Sequence, residues 1–253
     1  MKYFFTVIWG LICVSILVYG HIHWNQQTTA VKAVKPAITA SSTEIEVDKY
    51  LELAANWPET AKLELKRSLK AEQPFKILFA GSSSMEWEQT VSKTLTASFG
   101  PDRIRTAHYT YDLTTKDIIA QNKQQELAAE KAQLMVIEPF LLNDNNVVKM
   151  DVTLANVTKI IEAAKAANPD TTIMLQPSHP IYLPNYYAIQ VEALMQFAEE
   201  NSITYLDHWT AWPATDNPEI KDYLTAVQKA PNEKGYQVWA QFLVDYFVNK
   251  KAN

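Results

Sequence analysis

The sequence predicts an α/β protein: a flavodoxin-like three-layer α/β/α sandwich around a five-stranded parallel sheet, preceded by an N-terminal transmembrane helix. Three observations predict it. Short apolar runs occur at residues 76–80, 103–109, 133–139, 171–177 and 203–208. Between them lie segments whose apolar residues recur at helical spacing, and such alternation is the pattern of a parallel sheet covered on both faces. Near the start, residues 3–20 are almost wholly apolar and follow Lys2, which approaches the lower length limit for a bilayer span.

Composition narrows the function classes. The 253 residues are 47% hydrophobic and 20% charged, enough to bury a core in one ordinary domain with an addition. A net charge of -5 leaves no basic footprint for nucleic acid. The single cysteine, Cys13, excludes an intrachain disulfide framework and a multi-cysteine metal site. No phosphate-binding loop, dinucleotide fingerprint or zinc motif is visible.

The elements follow in order. Residues 1–22 read as an uncleaved signal-anchor. The apolar run ends Val18-Tyr19-Gly20-His21-Ile22-His23-Trp24, a poor small-x-small cleavage site, and Tyr19, His23 and Trp24 suit a membrane interface. Lys2 places the short end in the cytoplasm and the rest outside the membrane; a cleaved signal peptide is the alternative. Residues 23–43, rich in Thr, Ala, Gln and Ser, read as a stalk. Residues 44–72 read as a helical lead-in of two short helices. Val47, Tyr50, Leu51 and Ala54 mark the first and Pro58 starts the second. The globular domain is assigned to residues 73–250. Its helices are expected after the first strand, with Trp87, Val91, Leu95 and Phe99 on the apolar face, then at residues 114–131, 152–168, 187–201 and about 232–249.

Chemistry is expected where those strands end, because sites in open parallel sheets form outside the carboxyl ends of the strands. The first strand runs into Gly81-Ser-Ser-Ser84, a turn whose backbone N–H groups can face a developing oxyanion. Ser82, Ser83 and Ser84 equally fit a plain helix cap. The later strand ends carry residues 108–115, 138–146, 176–182 and 207–213.

Taken together, these segments resemble the SGNH (GDSL-type) hydrolase family over about residues 75–247. Ile77-Leu-Phe-Ala-Gly-Ser-Ser-Ser84 is similar to the first block, a strand followed by Gly-Asp-Ser, with Ser83 at the nucleophile position and Ser82 in place of Asp. Leu141-Leu-Asn-Asp144 is similar to Gly-x-Asn-Asp, with Asn143 at the side-chain oxyanion donor. Residues 231–240 are similar to the segment that follows the catalytic His. The resemblance implies ester hydrolysis or acyl transfer through Ser83 and Asn143 without a metal or organic cofactor. Combined with the predicted tether, it implies an acyl ester on a cell-envelope glycan as the substrate.

The pattern is broken in its last block. The Asp-x-x-His before Pro-Asn becomes Val227 and Ala230, so both the base and its orienting carboxylate are missing there. A serine without an adjacent base is a weak nucleophile. His179, His108 and His208 are the candidate replacements, ranked in that order, each set against a structural role for the same ring. A fold that has lost its triad and binds a glycan or protein partner is the alternative. Asp144, Asn145 and Asn146 are expected to form a loop and cap a helix rather than hold a cation. Glu86 and Glu88 are expected on the exposed side of the first helix. Trp209, Trp212 and Tyr182 are the aromatics placed to stack on a substrate.

Overall fold

A computed structural model describes residues 38–82 and 85–249 of the chain. The predicted membrane segment at residues 1–22, most of the stalk, and Ser83 and Ser84 lie outside the described residues. Among the described residues, no helix is long and apolar enough to cross a membrane.

The chain enters through helix α1 (Ile38–Leu53), which begins inside the segment read as a stalk, and α2 (Glu59–Lys70). From Val47 on the residues form one compact unit. Alternation then begins: β1 (Phe75–Gly81), α3 (Glu88–Phe99), β2 (Ile104–Thr110), α4 (Thr115–Ala120), α5 (Lys123–Ala129), β3 (Leu134–Ile137) and the one-turn α6 (Leu141–Asp144). It continues with α7 (Met150–Ala167), β4 (Thr172–Leu175), α8 (Tyr186–Glu200), β5 (Thr204–Tyr205), two 3₁₀ turns (His208–Ala211 and Pro218–Tyr223) and α9 (Glu233–Phe247).

The five strands pair in parallel in the order β2-β1-β3-β4-β5. In β1 the period of two sorts side chains between two cores. Ile77 and Phe79 face a core shared with Val91 and Leu95 of α3 and with Trp239, Leu243 and Phe247 of α9. Leu78 and Ala80 face the core built with Leu127 of α5, Val157 and Ile160 of α7, and Leu194 of α8. β3 and β4 are buried along their whole length, as strands covered on both faces must be. The expected five-stranded three-layer sandwich is therefore present.

The lead-in helices share the first core. Ala61 and Leu65 are fully buried, and the buried Trp57 indole N–H donates to the Phe247 carbonyl oxygen at 2.9 Å. The single helix expected at residues 114–131 is two, α4 and α5, separated at Asn122 with φ 55°. The expected strand ends at residues 138–139, 176–177 and 206–208 belong instead to the loops that leave the sheet. The loops after β3 and β4 meet at the carboxyl end of β1.

Candidate active site

The site is built from the ends of β1, β3 and β4, with contributions from the loop after β2 and the loop before α9. β1 ends at Gly81, where a side chain has no room: a Cβ there would lie 2.7 Å from Glu138 Cβ and 2.9 Å from Glu138 Oε2, and would strike the Met85 sulfur. Glycine thus lets the ends of β1 and β3 close on each other. The Gly81 carbonyl accepts from Tyr111 N–H at 2.9 Å, which ties the loop after β2 to the same edge.

Glu138 follows β3 and is fully buried. Its Oε2 accepts from the Ser82 N–H at 2.6 Å, and its Oε1 accepts from Phe140 N–H at 3.1 Å and from the Ser178 hydroxyl. Burial pushes its pKa upward, while the bonds from Ser178, Ser82 and Phe140 pull it back. Residues 138–146 were a candidate strand-end loop in the sequence, yet nothing local marked this carboxylate out. Two of its three named donors, Ser82 and Ser178, lie 56 and 40 positions away along the chain.

Ser83, the expected nucleophile, lies outside the described residues; Ser82, directly before it, is buried and held by Glu138. Asn143 sits in α6 on the same rim, half-buried. Its side-chain amide donates to the Leu113 carbonyl at 3.0 Å and approaches Asp112 Oδ1 at 3.5 Å, so it is turned toward the loop after β2.

The three histidines have distinct environments. His179, on the loop after β4, is fully buried. Its Nε2 lies 3.3 Å from the Gln228 carbonyl oxygen, and a carbonyl only accepts, so Nε2 carries the proton. Nδ1 is then the unprotonated nitrogen, and it has no hydrogen-bond partner among the described residues. Burial lowers its pKa to about 4, partly offset by the bond to Gln228. Gln228 lies between Val227 and Ala230, so His179 brings an imidazole to the loop that lacks the expected one. Val227 itself is 71% exposed. His108 lies in the body of β2, opposite Phe79. Its ring stacks on Phe79 with centroids 5.5 Å apart, and Nε2 meets the Ser92 hydroxyl at 2.8 Å. His208 is enclosed against Trp239, centroids 4.1 Å apart. Its Nε2 donates to the Pro177 carbonyl at 2.9 Å, and its Nδ1 accepts from Trp212 Nε1–H at 3.2 Å.

Asp144 is also fully buried. It accepts from Thr115 N–H at 2.8 Å, Thr115 Oγ1 at 2.5 Å and Thr153 Oγ1 at 2.6 Å, so it joins α4 to α7. Among the described residues no cluster of His, Cys, Asp and Glu could hold a metal ion. Glu86 is exposed, but Glu88 is half-buried with Oε2 enclosed and unpartnered among the described residues, contrary to the exposed position expected for it. Desolvation raises its pKa. Of the three expected stacking aromatics, Trp212 is in the core and the Tyr182 ring is covered by Lys221 Nζ at 3.9 Å from its centroid. Trp209 donates to the Ser178 carbonyl at 2.8 Å and packs on Tyr187.

No protein-family model and no curated protein matches the chain. Solved structures do. A carbohydrate esterase family 3 protein from Talaromyces cellulolyticus aligns with a TM-score of 0.58 at 17% identity, covering 68% of this chain and 95% of its own. An acetylxylan esterase from Geobacillus stearothermophilus aligns at 0.55 and 17% identity, covering 69% and 94%. A GDSL-like lipase from Bacteroides thetaiotaomicron aligns at 0.53 and 17% identity, covering 75% and 98%. Identities this low carry the fold and nothing finer. With the sheet order and the strand-end loops already described, they show that this chain has the fold of the SGNH (GDSL-type) hydrolases.

Proposed function

We propose that the chain is a serine-dependent ester hydrolase whose base has moved from the last block to the loop after β4. The observation that carries this is His179. Its Nε2–H donates to the Gln228 carbonyl, which leaves Nδ1 as a lone pair without a partner among the described residues. A carbonyl thereby orients the ring, as the missing carboxylate would. In the proposed reaction Ser83 Oγ attacks the ester carbonyl and its proton passes to His179 Nδ1. The tetrahedral oxyanion is held by backbone N–H groups of the serine turn and by the Asn143 amide, which turns from the Leu113 carbonyl toward the substrate. The imidazolium then protonates the leaving alkoxide, and water releases the acyl group by the same steps. With a pKa near 4, His179 is neutral at pH 7 but a weak proton acceptor, so turnover is expected to be slow for a serine esterase.

The finer reading is a tethered protein acting outside the cytoplasm on an O-acyl group of an envelope glycan. It is supported by the apolar residues 3–20 and by the carbohydrate and acetylxylan esterases among the structural relatives. Retention of the full chain in membranes through an alkaline wash tests the tether.

One observation favours a second reading, an SGNH-fold protein that binds a glycan or protein partner without turnover. His179 is fully buried, as a purely structural histidine would be. Turnover of a short-chain activated ester by the full chain separates the two. Under the esterase reading Ser83→Ala lowers turnover on the order of a thousandfold, and His179→Ala about a hundredfold. Equal turnover by the wild type and Ser83→Ala sinks that reading and leaves the binding protein.

A further inference from the structure

One carboxylate touches the residues just before Ser83 and His179 and the residue that precedes the helix carrying Asn143. Glu138 Oε2 accepts from the N–H of Ser82, which precedes Ser83. Glu138 Oε1 accepts from the hydroxyl of Ser178, which precedes His179. The same oxygen accepts from the N–H of Phe140, the residue that starts the helix carrying Asn143. Three loops, following β1, β3 and β4, therefore share a single acceptor group.

Taking a carboxylate fully out of water costs several kcal/mol before its bonds are counted. An apolar side chain would fill the space without that cost, but it would take the carboxylate acceptor from the Ser82 N–H and the Ser178 hydroxyl and leave the Phe140 N–H only the backbone carbonyl of residue 138. The surroundings are also set for this group alone. Gly81 leaves just the room that Glu138 occupies. Phe140 holds φ 59° with its ring fully buried, a conformation that bulky residues adopt at a cost of order 1–3 kcal/mol. The bond to Glu138 helps hold it there. In the resembled Gly-Asp-Ser motif a carboxylate belongs at position 82, where this chain has Ser82. Here a carboxylate reaches the same turn from the end of β3.

We propose that Glu138 is the positioning residue of this site. It ties the backbone of Ser82, the residue before Ser83, to the loops carrying Asn143 and His179, and it supplies from the end of β3 the carboxylate missing at position 82. The kinetic part of this proposal rests on the esterase reading; the conformational part does not.

The test compares the full chain in detergent with Glu138→Gln, Ser82→Asp and the swapped pair Ser82→Asp/Glu138→Gln. Three quantities are measured: the rate at which a fluorophosphonate labels Ser83, amide hydrogen exchange at Ser82, and the melting temperature. Glutamine keeps the size but turns one end into a donor, so one of the facing donors loses its acceptor. For Glu138→Gln, labelling is expected to slow and amide exchange to quicken, each about tenfold or more, the scale of one charged hydrogen bond. Ser82→Asp alone sets two carboxylates against each other and also slows labelling. The swapped pair restores one carboxylate to the turn and is expected to return labelling to within about threefold of wild type, since neighbouring substitutions couple. The proposal is overturned if Glu138→Gln labels and exchanges like wild type. It is also overturned if labelling falls only in step with melting temperature and the swap recovers nothing. Absence of labelling in the wild type would remove the esterase reading instead. The exchange measurement then decides alone, quickened exchange in Glu138→Gln upholding the positioning role and unchanged exchange ending it.

Discussion

Asp144 and Asn143 are adjacent, yet they do opposite jobs. The Asn143 amide faces the rim and the Leu113 carbonyl. Asp144 turns inward, where it accepts from the first N–H of α4 and from two threonine hydroxyls. Thr115 and Thr153 are themselves fully buried, so no water can take over if the carboxylate is removed. Asp144→Ala is expected to cost about 3 kcal/mol, the range for buried donors stranded by loss of a charged acceptor. Asp144→Asn, which keeps one acceptor oxygen, should cost less. Urea unfolding of the two variants checks the order, and equal stability would mean that the threonines find other partners. The pair Asn143-Asp144 was legible as a motif because it is contiguous. That Asp144 caps the preceding α4 rather than simply the helix after it depends on donors 29 and 9 positions away.

Helix α9 shows how much of an element depends on one position. Asn232 caps it by accepting from Gly235 N–H at 3.2 Å, and the buried Trp239, Leu243 and Phe247 face the sheet. Gly235 lies where the helix start presses on the preceding loop. A Cβ there would sit 2.9 Å from Pro231 Cβ and 3.0 Å from the Trp212 ring, and would strike the Tyr223 carbonyl oxygen. Gly235→Ala is therefore expected to destabilise by about 1–3 kcal/mol through overpacking, although alanine is the better helix former. A denaturant midpoint at or above that of wild type would contradict it. Helix existence was legible here because apolar periodicity is local. The break between α4 and α5 was not, because Asn122 adopts a left-handed conformation that asparagine tolerates without the Gly or Pro that usually marks a break.

At the scale of the whole molecule, the parallel pairing of the five strands follows from strands alternating with amphipathic helices, and that alternation is written along the chain, whereas the order β2-β1-β3-β4-β5 is one of several the alternation allows. The electrostatics of the interior are not, since Glu138, His179 and His208 become unusual only when folding removes their water. That burial has a measurable consequence. It holds His179 near pKa 4 and His208 near 3, against about 6.5 for an unfolded histidine. As pH falls below 6.5 the unfolded chain gains protons on these rings and the folded chain does not. The stability they contribute is therefore complete above pH 6.5 and is lost as pH falls toward their folded values. For each ring the loss approaches about 1.4 kcal/mol per pH unit within its window. Glu138 has the opposite sign: its pKa is raised in the fold, so its contribution is complete below about pH 4.5 and is lost as pH rises through the folded value. His208 is the cleaner probe, because it lies outside the proposed proton path. Urea unfolding at several pH values between 5 and 6.5 should show wild-type stability falling with acid. His208→Gln should start lower at pH 7, having lost the Trp239 stack and one or both ring bonds, but its slope should be shallower by about 0.7 kcal/mol per pH unit at pH 6.5, rising to about 1.3 near pH 5. An unchanged slope would mean that His208 takes up its proton in the folded state as readily as in the unfolded one, and that the enclosure by Trp212 and Trp239 opens to water.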